Sequence, residues 1–529
     1  MLILGIGGIL GDAACAILRD GELVAAIEES KLTRRGDLTA ASDDLPEHSL
    51  AACLSLAGAR PERLDCVAIA RPISAGPEAE RHLRLRARFP SSRIVLVEHH
   101  TAHAASAYYA SPFDEATVLT LDRMGDFRCG SKWRAEGAQL TLERETYYPD
   151  SLGELYGCVT ELLGFRAGRE EHKVQWLSAA GDDRYLELFA DVMPRHDDGW
   201  PRMERAFFDA ERQTHGGFGA RFFQRLGLED AAAIPEQLRA HLAAGLQRTV
   251  EAAIIEMAGR GRNLCFAGGL GLNALLVSAL ERRSGFEQVF VQPAAGNAGT
   301  ALGAALYAWH ATYGQTTRVP MRHLYLGPSY AAAEVKQVLE NCKLRFRYCL
   351  TTEEVIETAV AQLSENRIVA WMQGRMEFGA RALGNRSILA SPLDPYSTEN
   401  LNAYIKHRES FRKFAASVPA ELAAEYFEVG PNARFLATVG HVRPAWRGRF
   451  ESALLASDLI RVHVVAQEDN PLYWKLLHAA GKATGLPVLY NTSFNLFGEP
   501  LVCTPRDAVR SFYSSGIDAM LVGNFLLQK

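Results

Sequence analysis

Three histidines within five residues are the first feature of the sequence with chemical meaning. His99, His100 and His103 follow a predicted strand at the start of a predicted helix. Residues four apart share one side of a helix, so His99 and His103 are spaced like two metal ligands. Asp122 ends the next predicted strand and is placed to complete such a site. The alternative is a capped helix start with solvated histidines, because H-x-x-x-H alone has many false matches.

His100 and the segment Asp122–Asp126 contain further candidate groups. His100, three residues before His103, is predicted to face a substrate as a general base. Asp122–Asp126 reads as a strand that delivers a carboxylate into a glycine turn. Such turns occur at phosphate and metal sites, and equally often they only reverse the chain.

The segment Gly374–Ser387 places three arginines and three glycines within fourteen residues. Arginine presents a fork of donors to anions, and glycine lets backbone approach a ligand closely. Basic residues continue further along the chain at Lys406, Arg408, Arg412 and Lys413. A solvated basic face is the alternative, but it fits poorly with the apolar Phe378 and Leu383 within the segment. We therefore predict an anion site. The short polar run Asn491–Asn495 reads as an ordinary polar turn when taken alone, and as a further part of the anion site when taken together with Gly374–Ser387.

Glycine turns follow two consecutive predicted strands, at Gly268–Gly271 and at Gly296–Gly299, and each leads into a helix. A strand, a glycine turn and a helix in succession are typical of α/β nucleotide sites, where the helix start binds phosphate. Either turn alone is as well explained by chain reversal. Two in succession favour a nucleotide site.

The bulk composition excludes several classes of function. The 529 residues are 48% hydrophobic and 22% charged, with a formal net charge of −5, which gives no support to a nucleic-acid or membrane-surface role. No apolar run is long enough to span a bilayer. The nine cysteines form no C-x-x-C pair, which indicates reduced thiols and a cytoplasmic protein. The start MLILGIGG reads as a buried strand rather than a signal peptide.

Long motifs along nearly the whole chain carry a family resemblance. They are LVAAIEESKLTR (Leu23–Arg34), HHTAHAASAYY (His99–Tyr109), AGGLGLN, PAAGNAGTALGAAL, GRMEFGARALGNRSILASPLDP, KHRESFRKFAASV and NTSFNLFGEPLVCTP. Together they resemble the antibiotic O-carbamoyltransferase family, which includes nebramycin synthase, the cephem carbamoyltransferase and nodulation protein U. The resemblance implies an α/β chain with an actin-like ATPase domain of the TsaD type at 1–335 and a YrdC-like α/β twisted-sheet domain at 336–529.

The resemblance also implies a two-stage reaction. The YrdC-like domain takes carbamoyl phosphate and ATP and makes carbamoyl adenylate. The TsaD-like domain then passes the carbamoyl group to a hydroxyl or amine of a small-molecule natural product, as in antibiotic biosynthesis. The cofactors implied are ATP and a divalent metal, with iron first among the candidates and Mg²⁺ accompanying ATP as a further alternative. No nucleic acid or membrane partner is implied, and the assembly is left open, with a homodimer as one alternative.

Residue by residue, the resemblance implies four sets of site residues. The metal set is His99, His103, Asp122 and Asn297. The catalytic set is His100, Asp122 and Asp12. The carbamoyl phosphate set is Arg381, Lys406, Arg412, Arg461, Ser493 and Asn495. The nucleotide set is Gly268, Gly269, Asn273, Gly296 and Lys173.

Several positions depart from the family pattern. Asn297 stands where the family has an aspartate, and a neutral amide is a weaker ligand for a hard cation. Gly11 replaces a histidine before Asp12. Arg123 and Trp176 are bulky where the family has glycine, and they would narrow the transfer cavity if they line it. Two alternatives therefore remain beside a working carbamoyltransferase: the same fold with an altered condensation or cyclisation chemistry, or a non-catalytic nucleotide-binding partner.

Overall fold

The computed structural model describes residues 1–35, 45–74, 76, 78–209, 211, 215–228, 234–496 and 498–529. The first of its three sheets contains β1 (Leu2–Gly7), β2 (Ala14–Arg19), β3 (Glu22–Glu28), β4 (Cys66–Ala70) and β5 (Arg93–Val97), in the order β3-β2-β1-β4-β5. The first three strands are antiparallel, and β4 and β5 run parallel to β1. Asp20 and Gly21 join β2 to β3 with φ of 51° and 86°, a hairpin turn at the predicted place.

The second sheet repeats this arrangement. It contains β6 (Glu115–Gly125), β7 (Arg128–Glu136), β8 (Gln139–Tyr147), β9 (Arg260–Ala267) and β10 (Gly285–Val291), in the order β10-β9-β6-β7-β8. Again the first three strands are antiparallel and the last two are parallel to the first. Two copies of one sheet plan in tandem confirm the predicted actin-like fold.

The third sheet has ten strands and takes up the C-terminal part of the chain. It contains β11 (Arg347–Tyr348), β12 (Val369–Met372), β13 (Arg386–Ala390), β14 (Ala415–Pro419), β15 (Phe427–Glu428), β16 (Val439–Val442), β17 (Leu459–Val465), β18 (Leu489–Ser493), β19 (Ala519–Val522) and β20 (Phe525–Gln528). The order is β11-β20-β19-β12-β13-β18-β14-β17-β16-β15, with parallel and antiparallel pairs mixed. This is the second α/β domain that we predicted, and the boundary at 335 stays a prediction.

Helices cover the faces of the sheets. They are α1 (Glu29–Thr33), α2 (Glu47–Leu56), α3 (Glu78–Arg88), α4 (His99–Tyr108), α5 (Leu152–Leu162), α6 (Glu171–Ser178), α7 (Leu186–Val192), α8 (Ala220–Arg225), α9 (Glu236–Ala258), α10 (Ala274–Arg283), α11 (Gly299–Tyr307), α12 (Ala332–Asn341), α13 (Thr352–Ser364), α14 (Ser397–Asn400), α15 (Ala423–Tyr426), α16 (Pro471–Thr484) and α17 (Pro505–Tyr513). None of the helices in the described ranges has the length and apolarity needed to cross a membrane.

The contact between α4 and α11 is tight because alanine and glycine line it. A Cβ atom on Gly303 would lie 1.8 Å from the carbonyl oxygen of Ala102, so only glycine fits there. The surrounding alanines are fully buried in one large core cluster. This packing fixes α4, and with it the histidines at its start, relative to both N-terminal sheets.

Hydrogen bonds tie the first sheet to the C-terminal part of the chain. Lys31 Nζ donates to the carbonyl oxygens of Glu377 and Gly379 at 2.9 and 2.8 Å. The Gly379 amide donates to Glu28 Oε1 at 2.8 Å, and Glu28 pairs with Lys31 at 2.9 Å. These contacts are buried, so they position the two parts around the space between them.

Candidate active site

The start of α4 brings two of the three neighbouring histidines onto one aspartate. Glu98 caps the helix, since its carboxylate accepts hydrogen bonds from the amides of His100 and Thr101 at 3.0 and 2.8 Å. Nε2 of His99 and Nε2 of His103 then lie 3.0 and 3.1 Å from Oδ2 of Asp122. We call His99, His103 and Asp122 the triad.

The electrostatics of the triad suit a cation. Burial by itself would raise the pKa of Asp122, but hydrogen bonds from His103 and His99 hold it well below its usual range. The three ligand atoms lie within 4.8 Å of one another, close enough for one metal ion. Two imidazole nitrogens and one carboxylate, with further positions open, match the donor set of catalytic divalent metals. The residues present therefore fit the metal that the resemblance implies.

His100 lies beside the triad, with its ring centroid 5.4 Å from that of His99 and 6.2 Å from that of His103. Its Nδ1 is 2.8 Å from Thr120 Oγ1, and its Nε2 is 3.0 Å from the carbonyl oxygen of Arg128. The side chain is fully buried. Both nitrogens are thus engaged within the second sheet, a position that favours support of the fold over contact with a substrate.

A cavity of about 250 Å³ lies between the N-terminal sheets and the C-terminal part. Six predicted site residues line it: Asp12, Gly296, Asn297, Arg381, Ser493 and Asn495. Burial and the nearby Asp122 raise the pKa of Asp12, against the opposing effect of Arg169. Asp12 and Asn297 are predicted transfer residues, whereas Arg381, Ser493 and Asn495 are predicted activation residues. One cavity therefore joins the predicted transfer and activation residues.

Five cations lie near enough to act on one another's charge, and we call them the cation cluster: Arg381, Lys406, Arg408, Arg412 and Arg461. Lys406 Nζ donates to the carbonyl oxygens of Ser493 and Asn495 at 2.7 and 3.0 Å, so the ammonium orders the Asn491–Asn495 segment. Arg381 donates to the carbonyl oxygen of Leu272 at 2.8 Å.

The cation cluster has too little negative charge to balance it. Burial lowers the pKa of Arg381 to about 10 and, with Arg412, lowers that of Arg408 to about 9. Burial and the neighbouring guanidinium groups hold the pKa of Arg461 well below its usual range. Among the described residues, Glu409 pairs with Arg412 of the cluster at 3.7 Å, and Glu409 also binds Lys173 at 2.7 Å. A bound anion would relieve this repulsion.

The segment Gly374–Ser387 contributes less to the anion site than its sequence predicts. Only Arg381, of its three arginines, lines the cavity. Arg375 donates to the carbonyl oxygens of Val24 and Gly327, and the fully buried Arg386 donates to those of Gly374 and Pro328. These two arginines satisfy backbone groups at the contact between the two parts of the chain.

The predicted nucleotide residues fall into three environments. Gly268 and Gly269 turn directly under the triad: Gly268 has a φ of 96°, and a Cβ on Gly269 would lie 2.9 Å from Asp122 Oδ1. Asn273 caps α10 by accepting from the Leu276 amide at 3.0 Å, and its amide nitrogen lies 2.8 Å from Gln247 Oε1. Gly296 lines the cavity, while Lys173 is held between carboxylates.

A second cavity of about 410 Å³ opens beside α10. Residues of α9 and α10 form most of its wall, including Gln247, Glu251, Ser278 and Arg282. Its size suits a small ligand.

The two bulky departures do not narrow the first cavity, whose described lining includes neither of them. Arg123 turns away to donate to Glu154 on α5. Trp176 is buried and packs with Ala274 and Val439, and its ring lies 5.0 Å from the guanidinium carbon of Arg461. The tryptophan thus supports the cation cluster from the N-terminal side.

Sequence reasoning missed four residues of this site. Glu28 and Lys31 line the cavity, and their spacing of three at a predicted strand end was the available signal. The sequence indicates Arg408 only as one of several basic residues that follow the segment Gly374–Ser387. His172 lies next to Arg381 and Arg412, and no pattern in the sequence indicates it.

Comparison with known proteins agrees with the geometry. Residues 78–306 match the model of the carbamoyltransferase N-terminus, and residues 360–529 match that of the carbamoyltransferase C-terminus. An uncharacterized protein of Synechocystis sp. is 32% identical over 100% of this chain and 96% of its own length. Nodulation protein NolNO of Sinorhizobium fredii is 32% identical over 98% of this chain and 79% of its own length. Nodulation protein U of Rhizobium tropici is 29% identical, with 92% and 90% covered.

Among solved structures, component A of (R)-2-hydroxyglutaryl-CoA dehydratase from Acidaminococcus fermentans aligns with 59% of this chain and 99% of its own, at 18% identity and a TM-score of 0.39. The two family matches together span most of the chain and include the triad, the second cavity and the cation cluster. The chain belongs to the carbamoyltransferase family and is an enzyme of that class.

Proposed function

We propose that this carbamoyltransferase activates carbamoyl phosphate with ATP, as carbamoyl adenylate, and transfers the carbamoyl group to a hydroxyl or amine of a small-molecule natural product. The observation that carries the proposal is the single cavity whose lining includes Asp12 together with Arg381 and Ser493. A labile adenylate formed beside Arg381 and Ser493 can reach Asp12 without crossing bulk water, which would hydrolyse it.

The activation stage belongs at the cation cluster. Guanidinium groups without enough counter-charge bind phosphate by paired hydrogen bonds. Arg381, Arg412 and Arg461 are the guanidinium groups proposed for this role, and Lys406 holds Ser493 and Asn495 beside them. One carbamoyl phosphate, one ATP and one water then balance one carbamoyl adenylate, one inorganic phosphate and one pyrophosphate.

The transfer stage belongs beside the triad. The acceptor oxygen or nitrogen forms a bond to the carbamoyl carbon, and the bond from that carbon to the AMP oxygen breaks, so AMP leaves with the electron pair. Asp12 is our choice for the group that takes the acceptor proton, because it lines the cavity next to Asp122 while both nitrogens of His100 are engaged elsewhere.

The Gly268–Gly269 turn and the second cavity are proposed to hold the AMP portion of the adenylate during transfer. The turn lies against Asp122, and the cavity is lined in part by α10, the helix that follows the turn. A glycine turn at a helix start is a common phosphate site, and the cavity supplies space for the nucleoside.

His99, His103 and Asp122 would hold a divalent metal, with iron first among the candidates, and Asn297 supplies a neutral amide oxygen in the lining of the cavity. Such an ion polarises a carbonyl or phosphoryl oxygen and offsets developing negative charge. We further infer a cytoplasmic location from the cysteines, all of which are unpaired.

The test is release of pyrophosphate from ATP by the purified protein. We expect release that depends on carbamoyl phosphate, and an Arg412→Ala variant that is slower by roughly 10- to 100-fold at low carbamoyl phosphate, since hydrogen bonds to charged groups contribute about 1.5–3 kcal/mol. Arg506→Ala, an exposed arginine on α17, is the matched control. Wild-type protein that releases no pyrophosphate under these conditions would rule out the proposed activation.

A further inference from the structure

His172, the second residue of α6, is held in one tautomer. Its Nδ1 lies 3.2 Å from the carbonyl oxygen of Arg169, which can only accept a hydrogen bond, so Nδ1 carries the proton. Burial, with Arg412 and Arg381, lowers the pKa of His172 to about 3, so the ring is neutral at physiological pH. The other nitrogen, Nε2, therefore presents a lone pair.

This lone pair has no use within the described structure. Nε2 of His172 is shielded from solvent and has no hydrogen-bond partner among the residues that are described. A buried acceptor without a partner is unfavourable, because it has lost its water and gained no protein donor. Such an atom marks a place where a ligand would supply the missing N–H or O–H.

The neighbours of His172 are almost all hydrogen-bond donors. Arg412, Arg381 and Lys173 are near enough to act on its charge. Guanidinium and ammonium groups match phosphate oxygens, but they cannot accept a hydrogen bond from an amide N–H. The nearby carboxylates of Glu170 and Glu409 are held by Lys173 at 2.9 and 2.7 Å. His172 thus offers a neutral acceptor within the anion site.

We propose that His172 determines specificity for the carbamoyl end of the substrate. Its Nε2 accepts a hydrogen bond from the carbamoyl –NH₂, while Arg381 and Arg412 bind the phosphate. An acyl phosphate such as acetyl phosphate has a methyl group at that position and leaves Nε2 unpaired. The inference rests on the proposed function, because it assumes that carbamoyl phosphate binds at the cation cluster.

The experiment compares binding of carbamoyl phosphate and acetyl phosphate to the full-length protein by calorimetry. The variants are His172→Leu, which removes the acceptor, and His172→Gln, which keeps an acceptor oxygen on an uncharged side chain. His82→Leu on α3 is the matched control. We expect His172→Leu to weaken carbamoyl phosphate binding by about tenfold, the factor of one neutral hydrogen bond, and acetyl phosphate binding by less than about twofold.

The preference for carbamoyl phosphate over acetyl phosphate is the decisive measurement, since a merely structural role of His172 would weaken both ligands alike. Partial retention of the preference by His172→Gln supports the acceptor role and also answers any loss of folding in His172→Leu. An unchanged preference in both variants overturns the inference and leaves the proposed function intact, provided that wild type still releases pyrophosphate. Wild type that binds no carbamoyl phosphate overturns both.

Discussion

The triad and the cation cluster show opposite electrostatics. In the triad, two imidazoles face one carboxylate at 3.0 and 3.1 Å, and the hydrogen bonds keep Asp122 ionised. In the cation cluster, buried guanidinium groups lie together with little counter-charge, and their pKa values are lowered. The carboxylate of the triad is already paired with two imidazoles, and the triad would bind only a cation. The cation cluster instead needs an anion to balance its charge.

The two electrostatic environments keep the two stages apart. The carboxylate of the triad attracts a metal ion, whereas the positive charge of the cation cluster attracts the phosphate donor and repels a metal ion. Each ligand is therefore directed to its own group of residues. A variant at the triad should therefore leave the cation cluster almost unchanged, and a variant at the cation cluster should leave the triad almost unchanged.

Asp122→Asn should have the largest effect. Loss of the carboxylate removes the charge that the two histidines share, so metal content should fall, and carbamoyl transfer should slow by about 10³-fold because metal stabilisation is worth several kcal/mol. Metal analysis and acceptor carbamoylation measure this, while pyrophosphate release should change little. Asp126→Asn, in the adjacent turn, is the control. Equal loss of both stages would mean that the two groups of residues are not separable.

Lys406→Met should impair the cation cluster. Without the ammonium, the carbonyl oxygens of Ser493 and Asn495 lose their buried donor and the anion site loses its order. The KM for carbamoyl phosphate in pyrophosphate release should rise by about 100-fold, as expected for a lost charged hydrogen-bond donor. Metal content at the triad should match wild type, and a parallel fall in metal content would contradict the comparison.

Asn297→Asp should strengthen metal binding at the triad. An added carboxylate oxygen beside Asp12 and Asp122 raises the ligand charge, which should tighten binding of a divalent cation by about tenfold. Competition with a chromogenic chelator measures the affinity. Asn297→Ala, which removes the amide oxygen, should not tighten binding. If the aspartate variant binds metal no better than wild type, the cavity at Asn297 does not belong to the metal site.

Glu409→Gln should have the smallest effect and the opposite sign. Glu409 lies 3.7 Å from Arg412 and partly neutralises it. Removing this charge should lower the KM for carbamoyl phosphate by roughly threefold, in line with a partly exposed ion pair worth under 1 kcal/mol. Glu425→Gln, an exposed carboxylate on α15, serves as the control. A raised KM would show that Glu409 supports the substrate rather than competing with it.

Much of the fold could be predicted because the local sequence patterns agree with the strands of the three sheets. Apolar runs predicted the strands, and the Asp20–Gly21 turn predicted the first hairpin. The triad was predictable for a geometric reason: a helix turns about 100° per residue, so positions four apart share a side. His100 is three residues before His103 and is also a neighbour of the triad, with the two ring centroids 6.2 Å apart. Only the structure shows that Thr120 and the carbonyl oxygen of Arg128 engage both of its ring nitrogens.

The arginines of Gly374–Ser387 were harder to assign from sequence. Arg375, Arg381 and Arg386 lie five or six residues apart, and nothing in the sequence distinguishes their roles. Two of them satisfy buried carbonyl oxygens, and one reaches the cavity, because the direction of each side chain depends on the backbone packed around it. Trp176 is similar: its size predicted a blocked cavity, yet it lies behind Arg461 as a support.

The candidate site residues can be read from the amino-acid sequence: histidines at helical spacing, a local excess of arginine in an acidic chain, and two glycine turns after buried strands. Which of these groups line the same cavity depends on the tertiary structure. It also revealed the uncommitted Nε2 of His172, since the absence of a partner is a property of space rather than of spacing. The type and spacing of residues are properties of the chain, whereas contacts between distant residues form only when α6, α4 and β18 pack together.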